Sequence, residues 1–264
     1  VANYAKNDLQ NQEVSWQLKN ANGEVITGES ENKTIPQGEL AETNTIQHSL
    51  YDIEGPQKLI LEISLPGTKY KNSYPIWVYP ENENIAVPTD ILIADEPDAE
   101  VINTLKNGGK VLLFPDHEKF KAYSVGGLFT TDFWNYKMFK GISENMNKPV
   151  SPGTMGILTD PEHPLFNAFP TEFHSNWQWW PVVKKSRPFI LDLAPEGYQP
   201  IVQVIDNIER NHKLGLIFEL KVGDGKLLVC MSDLKAVQDK PEARQLYKSI
   251  LDYMHSDDFQ PSAT

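Results

Sequence analysis

The stretch DILIADEPDAEVINTLKNGGKVLLFP, residues 90–115, decides the fold of the larger part of this chain. DILIAD and KVLLFP are short, continuous apolar runs, which are typical of strands buried on both faces of a sheet. Between them, Val101, Ile102 and Leu105 lie at helical spacing. The Gly108-Gly109 pair marks the end of that helix. A strand, a helix and a strand in this order predict a βαβ unit and therefore a parallel sheet.

The C-terminal part of the sequence continues this pattern. KLGLIFEL (213–220) and KLLVCMSDL (226–234) are separated by a Gly-Asp-Gly turn, which predicts an antiparallel pair at one side of the sheet. A closing helix is expected after Pro241, because apolar residues recur at helical spacing as far as Met254. These segments together predict an α/β domain over residues 83–264.

Residues 1–82 have strand signals and almost no helical ones. In EVSWQLKN, Val14, Trp16 and Leu18 alternate with polar residues, and the Asn22-Gly23 pair that follows is a strong hairpin signal. The six predicted strands are VANY, EVSWQLKN, EVITGES, the segment from Asn44 to Leu50, KLILEISL and SYPIWVYP. Short strands with turns about every 8–12 residues predict an all-β immunoglobulin-like sandwich. The VANY opening predicts that this sandwich is truncated and that the chain is a fragment of a longer polypeptide.

The net charge of the chain restricts the classes of ligand that it can bind. A net charge of −12 argues against nucleic acid, whose phosphates require clustered Lys and Arg, and against an anionic membrane surface. It favours a neutral or cationic small molecule. No apolar run approaches the roughly 20 residues of a transmembrane helix, so we expect no membrane insertion.

The usual catalytic motifs are absent from the sequence. There is no phosphate-binding glycine loop, no GxSxG or GxCxG elbow and no HExxH pair, so we expect no cofactor and no metal. The single cysteine, Cys230, lies within an apolar strand, where we expect a small buried hydrophobe and not a nucleophile.

The segment FHSNWQWWPVV, residues 173–183, concentrates three tryptophans. Such a cluster can be a sugar-binding surface, part of a catalytic pocket or core. In a strand, Trp177 and Trp179 would share one face and Trp180 would take the other, with Pro181 ending the strand. We therefore expect a mixed arrangement with some rings buried and one or two at the rim.

Two loops supply further candidates. Asp116 and His117 follow a buried strand directly, at an edge of the sheet where α/β folds bind ligands. Asp132 and Trp134 lie in GGLFTTDFWNYKMF, after a Gly-Gly pair. The alternative for this second loop is a core stripe made of Phe133, Trp134, Met138 and Phe139.

Aromatic faces beside acids and amides suit sugars, and on this basis the carbohydrate-binding candidates are chosen. They are Trp134, Trp177, Trp179, Trp180, Asp116, His117, Asp132, Glu172, His174 and Asn176. Paired carboxylates for glycoside hydrolysis are a further hypothesis. The acids predicted at strand ends are Asp95, Asp116, Asp132, Glu172, Asp192 and Asp233, and a solvated surface explains them as well.

Several longer segments of the sequence resemble those of a known family. KNSYPIWVYP resembles the end of an immunoglobulin-like module in bacterial glycoside hydrolases of family 2 type, especially the large β-galactosidase-like enzymes of Bacteroidetes. The stretches GTMGILTDPEHPLFNAFPTEFHSNWQWW, SRPFILD and RNHKLGLIFELKVGDGKLLVCMSDL resemble the domain that follows that module. That domain is similar to a three-layer, flavodoxin-like fold of the class I glutamine amidotransferase type. The amidotransferase nucleophile is absent here, since KVLLFPDHEK has no cysteine.

This resemblance implies a non-catalytic accessory region of a larger carbohydrate-active enzyme, exported to the periplasm or cell surface of a bacterium. The implied partners are an upstream catalytic domain of the same polypeptide, a glycan and a second copy of the chain. Two alternatives stay open. The α/β domain could itself be a hydrolase that pairs His117 or His174 with Asp132 or Glu172. It could also be a purely structural interaction module.

Overall fold

The structure is a computed structural model of the 264-residue chain and describes residues 1–81, 85–130 and 134–262. It divides into two compact units, Val1–Pro80 and Glu81–Thr264. The first unit is β-rich and the second combines strands and helices, which confirms the predicted order of a β part followed by an α/β part. The predicted domain boundary, between residues 82 and 83, lies outside the described residues.

Four antiparallel strands form the sheet of the first unit. They are β1 (Leu9–Lys19), β2 (Val25–Ile35), β3 (Gln57–Ser64) and β4 (Lys71–Val78), in the order β2-β1-β3-β4. Val14, Trp16 and Leu18 are buried on one face of β1, as their alternation predicts. Gly23 has a φ of +85° in the turn between β1 and β2, which the Asn-Gly hairpin signal requires.

Two of the six predicted strands do not form. Residues 41–50 contain no strand, and the opening segment contributes one isolated bridge, between Ala2 and Leu40. From Asn44 to Leu50 only Ile46 and Leu50 are apolar, and both are exposed. The segment has too little apolar surface to bury, so it forms no strand, and the strand predicted there was wrong.

The second unit is built on a seven-stranded mixed sheet. Its strands are β5 (Ile91–Ala94), β6 (Lys110–Leu113), β7 (Gly156–Thr159), β8 (Phe189–Ile190), β9 (Val202–Ile205), β10 (Lys213–Val222) and β11 (Gly225–Cys230). Its helices are α1 (Ala99–Lys106), α2 (Tyr136–Asn145), α3 (Trp180–Lys184) and α4 (Pro241–His255). The strand order is β5-β6-β11-β10-β9-β7, and β8 pairs with β10.

The predicted βαβ unit is confirmed. β5 and β6 are parallel neighbours joined by α1, and β11 continues the parallel group beside β6. Asp98 caps α1 by accepting a hydrogen bond from the Val101 amide at 2.9 Å. Val101 and Leu105 then pack on Val111 of β6. The alternation of strand and helix therefore positions the carboxyl ends of three parallel strands at one edge of the sheet.

The hairpin of β10 and β11 has the predicted antiparallel pairing but a different position. It lies in the middle of the sheet, because β6 flanks β11 and β9 flanks β10. The prediction that it lies at one side of the sheet was wrong. The short strands β7 and β9 extend the sheet beyond β10.

A buried ion pair holds the turn after β9 against the start of α2. The Asp206 side chain is 1% exposed, and Arg210 contacts both of its carboxylate oxygens, with Nη2 2.6 Å from Oδ1 and Nε 3.2 Å from Oδ2. The same guanidinium donates to the Pro152 carbonyl and lies 4.6 Å from the centre of the Tyr136 ring. One charged side chain thus joins three segments of the second unit.

We expect Arg210→Met to lower the free energy of unfolding by about 3 kcal/mol or more, since it leaves the Asp206 carboxylate buried without its counter-charge. Lys121→Met is the control, because Lys121 forms an exposed pair with Glu118 and should cost about 0.5 kcal/mol or less. Urea unfolding followed by circular dichroism measures both. Equal losses for the two variants would contradict the importance of the buried pair.

Candidate functional site: a tryptophan platform

The aromatic segment is helical. Trp177–Trp179 forms a 3-10 helix that continues into α3, and Pro181 lies in the first turn of α3, where a proline is favoured. The Trp180 amide donates to the Trp177 carbonyl. Residues three apart are eclipsed in a 3-10 helix, so Trp177 and Trp180 lie on the same side of this turn.

Trp179 is the anchor of the segment. Its side chain is fully buried, and its indole Nε1–H donates to the Thr171 hydroxyl at 2.9 Å. The ring packs edge-to-face on Phe169, with centroids 5.2 Å apart, and on Phe166, with centroids 6.1 Å apart. The neighbouring Gln178 is also buried and donates to the Pro170 carbonyl at 3.0 Å. The side of the turn that carries residues 178 and 179 is therefore core.

The opposite side of the turn is open to solvent. Trp177 is 81% exposed and Trp180 is 49% exposed. We call these two rings the tryptophan platform. One ring is buried and two are exposed, which confirms the expected mixed arrangement. The strand on which Trp177 would share a face with Trp179 does not form, because the segment has the three-residue period of a 3-10 helix.

Polar groups from the same segment accompany the platform. The Asn176 amide Nδ2 donates to Glu172 Oε2 at 3.3 Å. The Asn176 Oδ1 atom is buried and accepts no hydrogen bond from any described residue. His174 is exposed, and its Nδ1 lies 3.0 Å from the Ser175 carbonyl. Three of the predicted polar candidates thus lie within five residues of the first platform ring.

The main chain that carries these groups is fixed to β7. Thr159 donates its hydroxyl to the Glu172 carbonyl at 2.6 Å and its amide to the Phe173 carbonyl at 3.0 Å. A bridge between Leu158 and His174 completes the pairing. The start of the aromatic segment therefore runs along the outer edge of the sheet.

Trp134 lies apart from the platform. It is 57% exposed, packs edge-to-face on Phe139 at 5.3 Å, and makes no ring contact with Trp177 or Trp180. Because Trp134 and Met138 are exposed, the alternative of a core stripe is wrong for these two residues. Asp132, also predicted in this loop, lies outside the described residues.

Asp116 and His117 lie at the carboxyl end of β6, as the sequence predicts. Asp116 accepts the Glu118 amide at 2.9 Å and closes a turn. His117 Nε2 donates to the Met231 carbonyl at 3.1 Å, and burial lowers the pKa of His117 below its ordinary value. The ring is neutral at pH 7, and its hydrogen bond serves to join the ends of β6 and β11.

The described residues provide no His–acid pair from the predicted set. His117 and His174 each bond to a main-chain carbonyl, of Met231 and Ser175 respectively. Burial raises the pKa of the Cys230 thiol to about 12, so the thiolate nucleophile does not form at neutral pH. Within residues 1–81, 85–130 and 134–262, no three His, Cys, Asp or Glu side chains are grouped to hold a metal.

Two of the other acids predicted at strand ends, Asp192 and Asp233, have local structural contacts. Asp192 accepts from His212 Nδ1 at 2.7 Å and from the Lys213 amide at 2.8 Å. Asp233 caps a 3-10 helix by accepting the Ala236 amide at 3.1 Å. These contacts fit turns and caps and do not form a carboxylate pair.

A family model described as "Domain of unknown function (DUF8487)" matches residues 92–264, which is 173 of the 264 residues. The chain belongs to this family. A second model, described as "Domain of unknown function (DUF8488)", matches residues 1–80. No curated protein matches the chain. The platform and its anchor lie within the DUF8487 region. In the part of the chain that the structure describes, no helix is long and apolar enough to cross a membrane.

The residues that sequence reasoning missed are those that bury Trp179. Thr171 and Phe169 precede Trp179 by eight and ten residues and share no short period with it. Pro181 was a signal for the helical turn, because a proline is as typical of the first turn of a helix as of the end of a strand.

We expect Trp179→Ala to lower the free energy of unfolding by about 3–5 kcal/mol, since it leaves a cavity between two phenylalanine rings. Trp177→Ala should change it by about 0.5 kcal/mol or less, because its ring is exposed. Chemical unfolding measures both, and Trp179→Phe provides a milder variant that retains part of the packing. Equal sensitivity of positions 177 and 179 would contradict this assignment of anchor and platform.

Proposed function

We propose that this chain is a non-catalytic accessory region of a larger glycoside hydrolase, and that its second unit binds glycan on the tryptophan platform. The observation that carries the proposal is the shared exposure of Trp177 and Trp180 on one side of a short helical turn. The resemblance to accessory regions of family 2 type, β-galactosidase-like enzymes supports the parent activity. The location of the parent enzyme in the periplasm or at the cell surface belongs to the same proposal.

The chemistry of the platform suits a sugar. The C–H faces of a pyranose ring are apolar and stack on an indole, while the hydroxyl groups require hydrogen-bond partners. His174 is exposed, and the half-buried Glu172 carboxylate lies 3.3 Å from the Asn176 amide, so both can offer hydrogen bonds to ligand hydroxyls.

The expected affinity is modest. A sugar that covers one face of an indole removes roughly 100 Å² of apolar surface from water, which at about 25 cal/mol per Å² gives about 2.5 kcal/mol. Two rings give about 5 kcal/mol before the entropic cost of association. Because that cost is about 4 kcal/mol or more, stacking alone leaves little net affinity. With hydrogen bonds to the sugar hydroxyls added, we expect a dissociation constant of about millimolar or weaker, which is useful when the site is tethered to a catalytic domain.

The finer fold assignments are part of this proposal. We infer that the first unit is an immunoglobulin-like spacer and that the second has the flavodoxin-like, amidotransferase-like arrangement. The antiparallel four-stranded sheet supports the first inference, and the parallel group β5-β6-β11 with its connecting helix supports the second. No observation among the described residues favours the alternative of a hydrolase, since neither His117 nor His174 bonds to an acid.

The 264-residue chain should bind at least one oligosaccharide on a glycan array, and calorimetric titration of that ligand then tests the platform. Trp177→Ala and Trp180→Ala should each weaken binding by about tenfold or more, since each removes one stacking face. Trp134→Ala is the matched control, because this indole is exposed but makes no ring contact with Trp177 or Trp180.

Two outcomes would count against the proposal. If both platform variants bind like the wild type, the sugar is held elsewhere. If no glycan binds and deletion of the region changes the oligomeric state of the parent protein, the region is a structural interaction module.

A further inference from the structure

A cavity of about 540 Å³ lies in the second unit, at the C-terminal end of β7 and beside β10. The residues that line it include Thr159, Asp160, Tyr198, Gln199 and, from β10, Glu219. This volume is in the range of pockets that bind small molecules. None of the predicted site residues lines it, and it is separate from the tryptophan platform.

The cavity has a one-sided charge. Among the described lining residues there are two carboxylates, of Asp160 and Glu219, and no lysine or arginine. Asp160 is exposed and accepts the Glu162 amide at 3.1 Å. An anionic ligand would meet only like charge here, whereas a cation would be attracted.

Glu219 is a partly desolvated carboxylate that forms no ion pair with any residue in the described part of the chain. Its Oε2 accepts the Tyr253 hydroxyl at 2.8 Å, and its Oε1 accepts from no described residue. The charge of Lys226 acts on Glu219, but the Lys226 ammonium group donates to the Phe259 carbonyl and to Gln260 Oε1. Burial raises the pKa of Glu219, and the Tyr253 hydrogen bond and Lys226 offset this only in part. A ligand ammonium group would supply the missing charge.

The neutral groups of the cavity favour hydroxyls. His163 Nδ1 accepts the Leu165 amide at 3.2 Å, so Nε2 carries the ring proton and is a donor. Burial lowers the pKa of His163, which keeps the ring uncharged at pH 7. The side-chain amides of Gln199 and Gln203 add both donors and acceptors to the lining.

We propose that this cavity binds a small hydroxylated amine of the amino sugar class, with its ammonium group on Glu219 and its hydroxyls on His163 and the glutamine amides. The carboxylates of Glu219 and Asp160 give selectivity for the cation, and the neutral hydrogen-bonding groups give selectivity for the hydroxylated frame. The site does not depend on the platform, because the two share no lining residue.

Calorimetric titration of the 264-residue chain with D-glucosamine at pH 7 tests the proposal, with D-glucose and N-acetyl-D-glucosamine as uncharged probes. Glucosamine should bind with saturation, and both uncharged sugars should bind about tenfold more weakly or worse. Glu219→Gln should weaken glucosamine binding by about tenfold or more while retaining an acceptor for Tyr253. Glu118→Gln, at an exposed acid outside the cavity, should leave it unchanged.

The result that overturns the proposal is a glucosamine titration without saturation, equal affinity for glucose, or equal affinity in Glu219→Gln. Trp177→Ala separates the two proposals. It should weaken glycan binding at the platform by about tenfold or more and leave glucosamine binding intact, so that failure of one site is distinguishable from failure of the other.

Discussion

The burial of the Trp179 indole is the constraint on which the candidate site depends. The ring is enclosed by Phe166 and Phe169, and its N–H is satisfied by Thr171, so this position of the turn has only one favourable orientation. Once residue 179 points inward within a 3-10 turn, residues 177 and 180 must point outward together. Exposure of two large aromatic rings is thus a consequence of how the third ring is buried.

The same packing extends towards the cavity that Glu219 lines. Phe166 contacts Trp179 on one side and His163 on the other, at 6.1 and 6.2 Å between ring centroids. His163 in turn packs at 5.2 Å on Tyr253, whose hydroxyl bonds to Glu219. Helix α4 supports this row of rings, since Ser249 donates to the Leu165 carbonyl. One layer of aromatic side chains therefore supports both proposed binding sites.

The sequence was sufficient for the parts of the fold that have a clear period. Residues 90–115 predicted a strand, a helix and a parallel strand, and the structure has all three. The alternation of Val14, Trp16 and Leu18 likewise predicted a one-sided sheet. Where the apolar content was low, as from Asn44 to Leu50, propensity alone predicted a strand that tertiary packing does not support.

The site was less predictable, for physical reasons. A segment of four or five residues contains too few positions to distinguish a period of two from a period of three, so the faces of the three tryptophans were assigned wrongly. The candidates Asp116 and His117 did reach the carboxyl edge, but their hydrogen bonds serve local structure. Glu219 was overlooked, although a lone acid within the apolar run KLGLIFEL was a visible signal.

The most direct test of the platform is fluorine NMR of the protein labelled with 5-fluorotryptophan, with its six indole resonances assigned by single Trp→Phe substitutions. A soluble gadolinium chelate should broaden the resonances of Trp177 and Trp180 and leave that of Trp179 sharp. Added oligosaccharide should then shift the same two resonances together. Joint broadening of Trp177 and Trp179 with protection of Trp180, the pattern of a strand, would contradict the account.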